Sequence, residues 1–251
     1  MSRMPSHELQ ATHLTTTIAQ DFSLLRLANW SSLIYCSFGL LGFALLAGFW
    51  PPPGPELSAE QIGAHIRAHS FGVAAGMVAM AFAGPFYFVW CSVISKIIGR
   101  IEGPMGVLST IELLGGLLTG LITFVPAVIW LTAALRPETR SAQEIQLFYD
   151  FGWMFFDVTF SASSIQMLAV GLAVQRDPRP QPLFPKWTGW LAYAVGLTYL
   201  PLVLMPFFQR GPFAWGGLIS FWTVFVMFFV FIVVFAPLAH RALHRLEREM
   251  S

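Results

Sequence analysis

Six stretches of this chain carry almost no charge and are long enough to cross a bilayer: Trp30 to Trp50, Phe71 to Ile98, Met105 to Leu135, Phe148 to Val174, Trp187 to Phe208 and Phe213 to Leu238. A helix needs about 20 apolar residues, rising 1.5 Å each, to span roughly 30 Å of hydrocarbon. Short polar segments rich in proline, glycine or charge separate the stretches, as at Pro51 to Glu60 and Arg136 to Glu144. The pattern predicts an all-α, polytopic integral membrane protein: a six-transmembrane-helix bundle over residues 29–242, preceded by a cytoplasmic segment, 1–28, and followed by a short cytoplasmic tail, 243–251.

Composition excludes a soluble reading. Hydrophobic residues make up 56% and charged residues 11%, against about 25% charged in ordinary soluble domains. The first 28 residues are polar and have no small-residue cleavage site, so no signal peptide is expected to be removed. Of the 14 Lys and Arg, only Arg67, Arg136, Arg140 and Arg210 fall in loops on the side opposite the N-terminus. The other ten share the N-terminal side, which predicts both termini in the cytoplasm. A net charge of +1 argues against a nucleic-acid partner. Asp21 to Trp30 reads either as an amphipathic segment on the inner surface or as a plain extension of the first span.

Two acids inside these spans, Glu112 and Asp157, are the candidates for chemistry. A carboxylate at the centre of a bilayer costs roughly 3 kcal/mol or more, so such groups face the bundle interior and mark working sites. On the third span Ser109, Glu112, Gly116, Thr119 and Thr123 recur at steps of three and four, one polar stripe on an apolar helix. Asp150, Asp157, Ser161 and Ser164 do the same on the fourth, with Gln166 to one side. Aligned as antiparallel neighbours, the helices set Asp157 level with Thr123 and Glu112 level with Leu168. The acids then differ in depth by roughly 16 Å at 1.5 Å per residue, too far for a carboxylate dyad. Each can serve alone as acid catalyst or proton carrier, or as a hydrogen-bonded tie between helices.

Aromatic residues make up 15% of the chain. Trp153 precedes Asp157 by four positions, so indole and acid share a helix side. With Tyr149, Thr123, Ser161 and Gln166 they define a candidate ligand pocket for an apolar, polycyclic or isoprenoid molecule. Cys36 and Cys91 lie in apolar helices without metal-ligand spacing and read as small hydrophobes. His65 and His69, four apart in the first outer loop, share a face, but two ligands do not make a metal site; nothing in the sequence calls for a metal or cofactor. His240 and His244 repeat the spacing beside Arg241 and Arg245, as a cap over anionic headgroups.

Ser58 to Ile62 (SAEQI) resembles Ser141 to Ile145 (SAQEI), and each precedes a Phe-Gly pair, Phe71-Gly72 and Phe151-Gly152. A duplicated helical hairpin or two independent capping boxes account for it. Gly72, Gly76, Ala79 and Ala83 form a ridge of small residues in the second span, and Gly116 and Gly120 repeat it in the third. Phe184 to Trp190 (FPKWTGW), the proline-rich fifth span ending at Phe207 to Arg210 (FFQR), and Gly211 to Gly217 (GPFAWGG) resemble segments of a group of uncharacterised six-helix bacterial membrane proteins. The resemblance covers roughly residues 136–225 and implies a bacterial inner membrane and six helices, without a catalytic residue.

Three functions fit. The protein binds, and in one version converts by acid catalysis, a lipophilic small molecule in a helix-lined cavity. Alternatively it is a small proton-coupled transporter using both acids, or a non-catalytic subunit docking other membrane proteins or its own copies through the small-residue ridge and aromatic surface. Membrane lipid is a partner in every case.

Overall fold

The computed structural model describes residues 22–103 and 105–250, and every regular element among them is helical. Six helices are long and apolar enough to span a membrane: α1 (Phe22–Leu46), α3 (Ser70–Glu102), α4 (Leu108–Ala134), α5 (Ala142–Arg176), α6 (Lys186–Phe207) and α7 (Leu218–Met250). A short helix, α2 (Ala59–Ala68), precedes α3. Residues 22–29 are continuous with the first span, the second of the two readings of that segment.

Local chemistry sets the helix ends. Ser58 and Ser141 each accept a hydrogen bond from the backbone N–H three residues on, and Gln61 and Glu144 return one to the serine N–H at 2.8 Å. These capping boxes satisfy donors that the first helical turn leaves free. Gly48 ends α1 and Gly103 ends α3 at φ 68° and 84°, conformations that a side chain would strain. The Glu102 carboxylate accepts the N–H of Leu108 and Ser109 at 2.8 and 2.6 Å, starting α4. Lys186 Nζ donates to the carbonyls of Val174, Gln175 and Asp177 at 2.9–3.0 Å, where a cation complements the end of α5.

Glycines decide which helices pack closest. A Cβ on Gly76 would stand 2.3 Å from the carbonyl oxygen of Gly42, which brings α3 backbone to backbone with α1. Gly84 and Gly120 would each place a Cβ 3.0 Å from the other's carbonyl oxygen, joining α3 to α4, and Gly171 stands in the same relation to Gly189 between α5 and α6. Gly72 and Ala79 also meet α1, and Ala83 is buried. The small-residue ridge is therefore consumed inside the bundle rather than left free for a partner. Large apolar side chains such as Leu45, Phe71, Val233 and Phe207 instead cover the outside.

The two capped segments lie side by side. Gly63 of α2 allows the approach of Ala142 at the start of α5, and Gln143 Nε2 donates to Glu60 Oε1 at 3.3 Å. Beyond the caps they part: one helix breaks at His69 before α3 begins, whereas α5 runs on. Near the start of α1 and the end of α7, an Arg26–Glu247 ion pair joins the two helices. Helix α7 continues to Met250 through the residues expected to form a tail, with Arg245 paired to Glu249 one turn on at 2.9 Å.

Candidate functional site

Three of the spanning helices leave α-helical geometry at one level of the bundle. Leu41–Leu46 in α1, Met154–Val158 in α5 and Leu218–Thr223 at the start of α7 are π-helical, with hydrogen bonds five residues apart, a form that is rare and recurs at functional sites. All three line the same cavity, through Phe43, through Phe156 and Asp157, and through Ser220 and Phe221. Past its π turn α5 tightens, with Ala162 N–H bonded to Thr159 O at 3.0 Å and Ser164 N–H to Ser161 O at 3.1 Å. The hydroxyls of Thr159 and Ser161 donate to the carbonyls of Phe155 and Val158. Irregular backbone at membrane depth survives where such groups are satisfied locally or line a cavity.

Asp157 is the polar centre of this space. Its side chain is 3% exposed, its Oδ2 has no hydrogen-bond partner, and no ion pair among the described residues includes it. In the same lining, Tyr35 OH and Thr123 Oγ1 share a hydrogen bond of 3.0 Å, and Thr123 Oγ1 donates to Thr119 O at 3.2 Å. Seven phenylalanines make up most of the remaining wall, with Phe160 of α5 and Phe228 of α7 5.4 Å apart between ring centres. The buried hydroxyls of Tyr87 and Tyr199, whose rings touch Tyr35 and Phe160, also lack partners. The cavity measures ≈ 40 Å³, room for about three waters. The phenylalanine rings fill most of the space that the helices leave.

Trp153 and Tyr149 lie elsewhere. Trp153 stands behind the cavity wall, against Phe43, Phe156 and Phe221, and joins an aromatic roof on the loop side. There it packs on Trp130 at 4.9 Å and stacks on Trp215 at 5.9 Å. Tyr149 OH and Trp215 Nε1 donate to the carbonyl of Pro53 at 2.8 and 2.9 Å, which pins the Pro51–Pro53 loop over the roof. Ser161 serves its own helix, and Gln166 serves the other acid.

Glu112 belongs to a separate interhelical network. Gln166 Nε2 of α5 donates to Glu112 Oε1 at 3.3 Å and to Cys91 Sγ of α3 at 3.2 Å. Gln166 Oε1 accepts from Thr119 at 3.2 Å, and Thr119 Oγ1 meets Ser163 Oγ at 2.7 Å. Gly115 and Gly116 make room: a Cβ on either would stand 2.5 Å from Gln166 Cβ or 2.4 Å from Cys91 Cβ. Three helices are thereby tied through one glutamine, and Glu112 lines no part of the Asp157 cavity.

The cavity is closed toward the loops by the aromatic roof and opens sideways. Gly39, Phe225 and Phe229 on its α1–α7 side are half-buried. Phe225 and Phe229, 4.8 Å apart between ring centres, also wall an apolar groove of ≈ 390 Å³ on the bundle surface, with Leu40, Trp50 and Val233. The rings of His65 in α2 and His69 just after it lie 4.6 Å apart, tilted to one another, at the loop end and apart from the cavity. Burial holds the His65 imidazole below its ordinary pKa, with the neighbouring His69 adding to the effect.

Sequence reasoning found Asp157 and Thr123 and missed Tyr35, Ser220, Phe221 and Phe228, which come from helices distant in the chain. The signal available for Tyr35 was a lone polar ring inside the first span. Compared with protein-family models, curated proteins and solved structures, the chain matches none.

Proposed function

We propose that this protein is a multi-pass membrane protein that binds a lipophilic small molecule, taken from the bilayer between α1 and α7 and anchored by Asp157. The observation that carries this reading is an unpartnered carboxyl oxygen in a cavity where three π-helical turns meet. An uncompensated polar atom in apolar surroundings costs about 1–3 kcal/mol, a cost that a bound group removes. The groove of ≈ 390 Å³ beside the cavity supplies the apolar volume that the cavity itself lacks. In this reading Glu112 is a tie between helices. The basic residues on the N-terminal side put both termini in the cytoplasm, and the inner membrane of a bacterium is the setting that the sequence favours.

Gly39 supplies the test, because a Cβ there meets nothing within 4 Å and a larger side chain can enter the opening without displacing backbone. Native mass spectrometry of the purified protein should show a bound apolar molecule that is lost in Gly39→Phe. A mass spectrum identical for the two proteins, bound or bare, refutes the reading.

A further inference from the structure

The anchor of the cavity is an acid with no cation near it. Among the residues lining the space there is no Lys, Arg or His, and Asp157 is the sole carboxyl group. Around it stand the ring faces and edges of Tyr35, Phe43, Phe156, Phe160 and Phe228. Aromatic faces attract cations, more strongly once water is excluded, and a carboxylate adds direct charge pairing. A neutral ligand would use neither. The dimensions narrow the class further: the ≈ 40 Å³ beside Asp157 takes a head of about three non-hydrogen atoms, while the groove beyond Phe225 and Phe229 takes a chain.

We infer that the cavity recognises a single-chain amphiphile with a small cationic head, a primary or secondary ammonium, its nitrogen against Asp157 and its chain passing Phe225 and Phe229 into the α1–α7 groove. The inference rests on the reading of the cavity as a binding site and names its ligand class. The ammonium donates hydrogen bonds to the Asp157 carboxylate, including the oxygen that has no protein partner, and the hydroxyl oxygens of Tyr35 and Thr123 in the same lining can accept the remaining donors. Phe225 and Phe229, side chains shared by cavity and groove, must turn aside as the chain enters.

The experiment uses the full-length protein in nanodiscs of zwitterionic lipid, with thermal unfolding followed as the mole fraction of dodecylamine, dodecanol or N-dodecylacetamide is raised. A ligand that binds the folded state raises the midpoint by mass action. Dodecylamine should half-saturate at a mole fraction at least about tenfold lower than either neutral analogue, the ratio that ~1.4 kcal/mol of charge recognition gives. Asp157→Asn should bring the three together within about twofold. The acetamide keeps the test open even if that variant folds poorly, because it removes the charge from the ligand instead of the protein. If neutral analogues bind the wild type as well as the amine does, and Gly39→Phe abolishes binding, the cationic class is wrong while the binding site stands. If none of the three shifts the midpoint, or Gly39→Phe leaves the shifts unchanged, the binding site falls as well.

Discussion

Replacing Glu112 by leucine or by glutamine separates what its shape contributes from what its oxygen contributes. In the wild type Glu112 Oε1 accepts one amide hydrogen of Gln166 at 3.3 Å, and the other amide hydrogen goes to Cys91 Sγ. Leucine fills similar space but removes the acceptor, so a buried amide hydrogen is left unpaired between α4 and α5. Interhelical side-chain hydrogen bonds in membranes are worth about 0.6 kcal/mol on average and about 1.7 at most. An orphaned donor adds about 1 kcal/mol, so Glu112→Leu should destabilise by about 1–2 kcal/mol. Glu112→Gln keeps a carbonyl oxygen in place and should cost under about 0.5 kcal/mol. Gln166→Leu completes a double-mutant cycle, because Thr119 retains Ser163 and the Gly115 carbonyl as partners when the glutamine goes. The two leucine substitutions should together cost about 1 kcal/mol less than the sum of each alone. Reversible unfolding in mixed micelles, followed by tryptophan fluorescence, measures the wild type and all four variants. Leucine as stable as glutamine at position 112, or additive costs in the cycle, would refute the assignment of Glu112 as a tie.

The close glycine pair makes a steric prediction: Gly76→Ala, whose methyl meets the Gly42 carbonyl at 2.3 Å, should cost about 1–3 kcal/mol in the same assay, whereas Gly39→Ala, facing open space, should be nearly neutral. For topology, with Cys36 and Cys91 replaced, cysteines at Ser58 and Ser141 should react with an impermeant thiol reagent added to intact cells and one at Arg248 should not; the reverse labelling overturns the orientation. The lowered pKa of His65 means that protonation favors the opened form of α2. Its contribution should be full above about pH 6.5, the unfolded value, and lost as pH falls through the lower folded value. The protection of α2 amides, their exchange rates taken relative to the intrinsic rate at each pH, should fall on acidification, and His65→Gln should remove that dependence.

Helices, spans and caps were readable from the chain because each depends on neighbours in sequence. Runs of apolar residues too long for a soluble core, and Ser58 and Ser141 with their reciprocal partners three residues on, act within one element. The stripes of Glu112 and Asp157 were readable for the same reason, since α-helical spacing brings residues four apart to one face. That reasoning failed where the helix was not α. The turn Met154–Val158 is π-helical and no local pattern marks it, and the partners of Trp153 and Asp157 come from other helices: Trp130 and Trp215 meet the indole, while Tyr35, Thr123 and Phe228 share the cavity with the acid. Likewise Gln166, set aside by α-helical counting, reaches Glu112 because the glycines at 115 and 116 let two helices approach.

The sequence by itself determined that this chain forms six apolar helices with buried acids, because burying backbone polar groups in lipid leaves helices as the only economical form for such stretches. Only the tertiary structure decided what the acids do. It gave Glu112 a glutamine and left Asp157 without a partner among aromatic rings. The difference arises from side chains on α1, α3, α5 and α7, up to 193 positions from Tyr35 to Phe228, which meet through packing that no spacing along one helix records.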